Sequence, residues 1–325
     1  MRALQCTRWG GPDTLALAEV TPPALREGEI RVRVAAAGVN FADLLMIAGK
    51  YQENPPLPFS PGFEVAGTVD EVAPGVTAWR RGDRVMGMLP FGGYAEQAVL
   101  PAERAIAMPP SLEFAAAGGF PVAYGTAYGA FAWRARLRPG ERVLVFGAAG
   151  GVGLASVAVA RVLGGEVIAV ASGRDRLAVA AAHGAAHLVD SGSEDVAARV
   201  RALTGGRGVD VVLDPVGGPA FETALRCLAS EGRLVVIGFA SGQVGTLSAG
   251  VALGKNIDLI GCYWGAYRDA ADAGRIRRAY DELGRWVEAG KIAPHVAARV
   301  PLAEAPRALA LMSSRTLAGK IVLVA

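Results

Sequence analysis

The chain has 325 residues, 52% hydrophobic and 19% charged, enough apolar material for two ordinary domains and too little charge for a disordered segment. A net charge of +3, carried by scattered residues that are nearly all arginine, lacks the clustered basic stripe expected of a nucleic-acid binder. No apolar run reaches the length of a membrane span, the N-terminus lacks a signal-peptide pattern, and Cys6, Cys227 and Cys262 are too dispersed for a disulfide framework, so the expectation is a cytoplasmic protein without membrane or nucleic-acid partners.

From Met1 to about Pro121 short candidate strands are broken by Gly and Pro. Arg31–Val34 alternates polar and apolar as a half-buried strand does, and residues 65–69 are a second candidate. Such a run of short strands predicts a barrel-like β domain. From about Val122 to Gly265 strands and helices alternate. Arg142–Phe146 is an apolar strand, 152–163 a small-residue helix, 166–170 a strand and 175–182 a helix; strands at 209–213, 233–237 and 256–260 continue the series. Continuous apolar strands between helices predict an α/β architecture, a doubly wound parallel sheet covered on both faces. An amphipathic helix over 276–289 and short strands ending at 321–324 then return to the first domain. The expected division is 1–121 with 266–325, and 122–265.

The chemistry is concentrated at Gly147-Ala148-Ala149-Gly150-Gly151-Val152-Gly153, directly after the strand that ends at Phe146. A helix starting there offers unpaired backbone N–H groups and the positive end of its dipole to a pyrophosphate, and glycines allow the close approach. Plain turn glycines are the bland alternative, which the strand–loop–helix context disfavours. In a site for NAD, Asp or Glu about 20 residues further on holds the ribose hydroxyls. Here that stretch reads Ser172-Gly173-Arg174-Asp175-Arg176, with small residues in the acid's place and two guanidinium groups beside it. Guanidinium pairs with a phosphate dianion, so NADPH is expected over NADH; solvated arginines at a helix start are the alternative.

At this point the sequence resembles the medium-chain dehydrogenase/reductase superfamily, in its zinc-free quinone oxidoreductase (zeta-crystallin-like) branch. The likeness runs through 37–43 (Ala-Gly-Val-Asn-Phe-Ala-Asp), 61–67 (Pro-Gly-Phe-Glu-Val-Ala-Gly), 82–85, 92–96, 125–128, the glycine loop and 319–323 (Gly-Lys-Ile-Val-Leu). The resemblance implies a GroES-like β domain, a Rossmann domain between its two segments, an active site in the cleft, and a homodimer. It places Asn40 near the nicotinamide and the acceptor, with Tyr51 lining the same cleft as either a proton donor or a shape-setting wall. Thr126 would contact the nicotinamide end, and Gly147, Ala148, Gly150, Gly151, Val152 and Gly153 the pyrophosphate. Ser172, Arg174, Arg176 and Arg315 would serve the adenosine phosphate, with Gly238 and Phe239 further cofactor contacts.

Zinc-dependent members carry a Cys and a His where this chain has Asn40 and Phe63, and four clustered cysteines that this chain lacks, so no metal is expected. Without a Lewis acid, hydride must go to an acceptor that is already electron-poor, a quinone or conjugated carbonyl compound. Enoyl or alkenal reduction is the first alternative, and a non-enzymatic adapter or RNA-binding role the second. Relatives often carry Tyr where this chain has Leu45, and another near Ser191.

Overall fold

The computed structural model describes residues 1–268 and 272–325, which fold into two compact units. The first unit comprises Met1–Val122, Gly265–Gly290 and Pro294–Ala325; the second comprises Ala123–Trp264 and Lys291–Ala293.

The chain opens with β1 (Arg2–Cys6) and β2 (Leu15–Glu19), an antiparallel pair, followed by β3 (Glu29–Gly38), α1 (Phe41–Ile47), β4 (Glu64–Val72), β5 (Arg84–Met88), β6 (Gln97–Pro101), β7 (Ile106–Ala107), α2 (Phe114–Gly118) and α3 (Phe120–Tyr128). The second unit follows with β8 (Arg142–Phe146), α4 (Gly151–Val162), β9 (Glu166–Ala171), α5 (Arg174–Ala182), β10 (His187–Asp190), α6 (Val196–Leu203), β11 (Val209–Asp214), α7 (Pro219–Cys227), β12 (Leu228–Val236), α8 (Ala249–Lys255) and β13 (Asp258–Gly261). Then come α9 (Ala273–Glu288), β14 (Val296–Pro301), α10 (Ala305–Ser314) and β15 (Lys320–Val324).

In the first unit the strands run β14-β15-β3-β4-β5-β7, with β6 also paired to β3. Alternation explains β3: Ile30, Val32 and Val34 point into the core, while Arg31 and Arg33 reach Glu71 and Asp70 on β4 at 3.1 and 2.9 Å. The core collects Ile30, Val32, Val65, Val85, Leu100 and Leu323. Because β15 pairs antiparallel with the end of β3, a residue near 320 is brought beside Gly38.

In the second unit six strands lie in the order β10-β9-β8-β11-β12-β13, every pair parallel. This is the doubly wound Rossmann order, whose ligands bind outside the carboxyl ends of the strands at the point where the order reverses, here between β8 and β11. The burial follows: Val143 to Phe146 and Val167 to Ala171 are buried without alternation because helices cover both faces.

Some elements differ from the sequence expectation. Residues 305–314 form a helix, with Pro306 in its first turn and Ala305, Ala308 and Leu309 buried at helical spacing. The short strand β10 and helix α6 fill the gap left between 182 and 209, α7 lies between the strands expected at 209–213 and 233–237, and β12 begins at Leu228 instead of 233. Asn256 is not in a strand; it ends α8 in the left-handed conformation at φ 51°.

Candidate active site

In the first unit Asn40 belongs to one buried polar network. Asn40 follows the end of β3 in extended backbone and starts α1. Its backbone N–H donates to Asp43 Oδ2 at 2.8 Å, and Gly62 N–H donates to Asp43 Oδ1 at 3.0 Å. The Tyr94 hydroxyl donates to Asp43 Oδ2 at 2.7 Å, so one carboxylate ties α1 to two loops. Glycine is required at position 62: its φ is +104°, and a Cβ would lie 2.6 Å from the Tyr94 ring.

On the side-chain side, Lys320 Nζ lies 2.7 Å from Glu64 Oε1 and donates to Asn40 Oδ1 at 2.6 Å. Asn40 Nδ2 donates to Glu64 Oε1 at 2.9 Å and to the Gly38 carbonyl at 3.3 Å. Glu64 Oε2 accepts from Val122 N–H at 2.8 Å. Asp43 and Glu64 are wholly buried and Asn40 and Lys320 are 6% exposed. Gly38 and Gly119 make the space: a Cβ would come within 2.2 Å of Glu64 Oε1 at the first and 2.5 Å of the Lys320 stem at the second. Burying both charges is costly, and removing one partner of such a pair costs about 3–5 kcal/mol. Tyr51 packs at 5.1 Å and 59° on Phe63, which is nearly buried.

Burial pushes the Asp43 carboxyl up to about 7, against the pull of the Tyr94 hydroxyl, the Asn40 amide, the Lys320 charge and the Gly62 amide. The Tyr94 phenol is pushed well up by burial and by the Asp43 charge, which keeps it a donor. An acid whose folded pKa exceeds its unfolded value of about 4 binds more protons when folded, so its stabilisation is complete below that value. It is lost as pH rises through about 7. The expected result is that the melting temperature of the protein, referred to that of the Asp43→Asn variant, declines across this window and is flat above it. Parallel melting curves at every pH would refute the assignment.

In the second unit the expected cofactor residues gather at the carboxyl ends of β8, β9 and β12. After β8 the chain turns through Gly147 at φ +57°, and Gly150 N–H closes onto the Gly147 carbonyl at 2.9 Å. The N-cap of α4 is Gly150, which has no capping side chain, so helix geometry leaves the N–H groups of Gly151, Val152 and Gly153 without an acceptor inside the helix. Glycine at 153 is forced, since a Cβ would lie 2.1 Å from the Gly147 carbonyl oxygen. The loop is backed by the turn after β11, where Asp214 Oδ1 accepts from the N–H groups of Val216 and Gly217 at 2.8 and 3.0 Å. A Cβ at 147 would touch Pro215 and Val216, and one at 217 would touch Phe239, so these segments adjoin; Gly238 follows β12. Burial raises the Asp214 carboxyl, against those two amides. Thr126 is buried on α3.

Just after β9, Ser172 Oγ accepts at 3.0 Å from Nη1 of Arg176, which lies in the first turn of α5. The sequence shows small residues where a ribose-binding acid would stand, yet a carboxylate arrives from the neighbouring strand: Asp190 Oδ1 accepts from Gly173 and Gly192 N–H at 3.0 and 2.9 Å. Those two bonds, with the Arg174 charge among further causes, hold its carboxyl below the usual range. Arg174 is exposed; Arg315, in the first unit, ends α10 in the left-handed conformation at φ 54° and is exposed.

Lys320, Glu64, Asp43, Tyr94 and Asp190, which adjoin the expected residues, were not singled out by the sequence. For Asp43, Glu64 and Lys320 the available signal was a polar side chain inside an otherwise apolar helix or strand segment. The arrangement accommodates a dinucleotide phosphate: an uncapped helix N-terminus lined by glycines whose Cβ space is closed, and an arginine already oriented by a serine. Among the described residues no group of three or more His, Cys, Asp or Glu could hold a metal ion, and no helix is long and apolar enough to cross a membrane.

Residues 26–110 match the alcohol dehydrogenase GroES-like domain and residues 151–278 the zinc-binding dehydrogenase family. Quinone oxidoreductase-like protein 2 of Bos taurus is 38% identical over 99% of this chain and 92% of its own length. The 2-haloacrylate reductase of a Burkholderia species is 34% identical over 97% of this chain and 96% of its own. The solved structure of the Escherichia coli quinone oxidoreductase complexed with NADPH superposes with a TM-score of 0.93, 30% identity and complete coverage of both chains.

Proposed function

The chain belongs to the quinone oxidoreductase branch of the medium-chain dehydrogenase/reductase superfamily, and on that premise we propose that it is a zinc-independent, NADPH-dependent oxidoreductase delivering hydride to a quinone or other conjugated carbonyl acceptor. The observation that carries the cofactor half is the pairing of the uncapped α4 N-terminus with the Ser172–Arg176 contact.

Gly147, Ala148 and Gly150 to Gly153 would hold the pyrophosphate, and Ser172, Arg174 and Arg176, with Arg315, the adenosine phosphate. Gly238 and Phe239 would add cofactor contacts, and Thr126 would serve the nicotinamide end. When bound, NADPH supplies the hydride; the protein's task is binding, orientation and exclusion of water. Asn40 supplies a rigid amide and Tyr51 a phenol able to give a proton to the reduced acceptor. The positions that would carry soft or imidazole zinc ligands hold an amide and a phenyl ring, Asn40 and Phe63, which supports acceptors that need no Lewis acid. The similarity to a 2-haloacrylate reductase favours a second reading, reduction of a conjugated double bond with the same cofactor and site.

Following NADPH oxidation in parallel with benzoquinone, phenanthrenequinone, hexenal and crotonyl-CoA, with NADH controls, separates these readings. Quinone turnover with NADPH is the expected result. Turnover of the enals alone would establish the second reading, and tight NADPH binding with no turnover of any acceptor would overturn the enzymatic one. We place the protein in the cytosol, in keeping with three buried free thiols. The homodimer is supported by β13, the last strand of its sheet, where Leu259 is 50% exposed on an open edge. Sedimentation equilibrium at the mass of one chain would remove it.

A further inference from the structure

The Asn40 amide sits in an asymmetric setting that fixes which way it faces. A carboxylate only accepts hydrogen bonds and an ammonium only donates them. With Glu64 on one side and Lys320 on the other, the amide nitrogen must face the carboxylate and the amide oxygen the ammonium. A flipped amide would set NH2 against NH3⁺ and oxygen against oxygen, in a pocket where all three side chains are nearly or wholly buried. Both Nδ2 protons are already used, one on Glu64 Oε1 at 2.9 Å and one on the Gly38 carbonyl at 3.3 Å. Asn40 therefore has no proton to offer an acceptor carbonyl unless one of these bonds breaks.

We propose that Glu64 and Lys320 are positioning residues that lock the Asn40 amide in a single orientation, its NH2 spent inside the protein and only its carbonyl oxygen able to meet a ligand. The substrate carbonyl then receives no hydrogen bond from Asn40, and the amide acts as a fixed acceptor for a donor group on the cofactor. Glu64 and Lys320 contribute through Asn40, and their pairing keeps either charge from being buried alone.

The kinetic half of this inference rests on the proposed oxidoreductase reading; the structural half does not. The chain has three asparagines, Asn40, Asn54 and Asn256, so selective isotope labelling of asparagine gives three side-chain amide pairs resolvable by NMR in the protein without cofactor. In the wild type the Asn40 NH2 protons are expected to exchange with solvent at least about tenfold more slowly than those of exposed Asn256. Glu64→Gln and Lys320→Met should each remove that protection and lower kcat by about 30-fold or more while KM for the acceptor moves less than about threefold. Lys320→Arg, which keeps charge and donors, should recover most of both. Because either single neutralisation leaves a lone buried charge and can prevent folding, the double variant Glu64→Gln/Lys320→Met, which removes both charges, carries the same expectations.

An Asn40 amide that exchanges as fast as Asn256 in the wild type overturns the proposal. So does retained protection in the folded variants, or lost protection with unchanged kcat. If the wild type turns over no acceptor, the functional reading fails while the exchange measurement alone decides this one.

Discussion

Gly153→Ala is expected to lower NADPH affinity by about 100-fold or more, a loss of about 2.7 kcal/mol in binding free energy. The added Cβ would stand 2.1 Å from the Gly147 carbonyl oxygen and 2.8 Å from the Ala148 backbone. Both are main-chain atoms of the phosphate loop, so relief cannot come from turning a side chain. Loop and helix must separate, at the cost of about 1–3 kcal/mol typical of overpacking, and the N–H groups of Gly151 to Gly153 leave their common aim. Gly150→Ala is the matched control: its nearest neighbour, the same Gly147 oxygen, would be 3.4 Å away, and its φ is −77°. Titration of NADPH against protein fluorescence measures both. Binding within threefold of wild type in Gly153→Ala, with an unchanged melting temperature, would refute the cradle.

The second large effect is on the choice of cofactor. Arg176→Ala should lower kcat/KM for NADPH by about 10- to 100-fold, in line with about 1.5–3 kcal/mol for a hydrogen bond to a charged group, and leave NADH within about threefold. The selectivity arises because the guanidinium is presented by Ser172 before ligand arrives, at 3.0 Å, so little ordering remains to be done on binding. Asp190, close by, accepts from the Gly173 and Gly192 N–H groups on its Oδ1. An equal fall with both cofactors would show that Arg176 supports the loop and reads no phosphate.

What could be read from the sequence was what is encoded locally. The apolar run 142–146, the glycines after it and the small-residue helix sit side by side in the chain, and each constrains the next, so strand, phosphate loop and helix emerge together. Alternation in 31–34 likewise announces a half-buried strand. Helix α10 was legible too, through Pro306 and the apolar spacing of 305, 308 and 309, but its brevity let it pass as strands. By contrast, Asn40, Glu64 and Lys320 are joined by hydrogen bonds spanning 24 and 280 positions. Nothing in a local window reveals that a lysine in a terminal strand faces a glutamate in β4. Burial supplies the meaning: the same three side chains in water would carry no orientation at all. Asp190 was hidden for a related reason, since its role depends on β10 lying beside β9 in the sheet.

The pairing of β15 with β3 also sets an order of assembly. Residues 36–38 wait for partners at 322–324, and the Asn40 amide waits for the ammonium at 320, while all of Ala123–Trp264 is made in between. A ribosome producing this chain therefore releases a Rossmann sheet whose six strands are already complete well before the β unit can close. During that interval Glu64 lacks the Lys320 charge, and on the edge of β3 where β6 holds residues 29–33, residues 36–38 have no neighbour. The nascent β unit is the segment that needs shelter from aggregation, and a chaperone engaged on it would be discharged by synthesis of the closing strand.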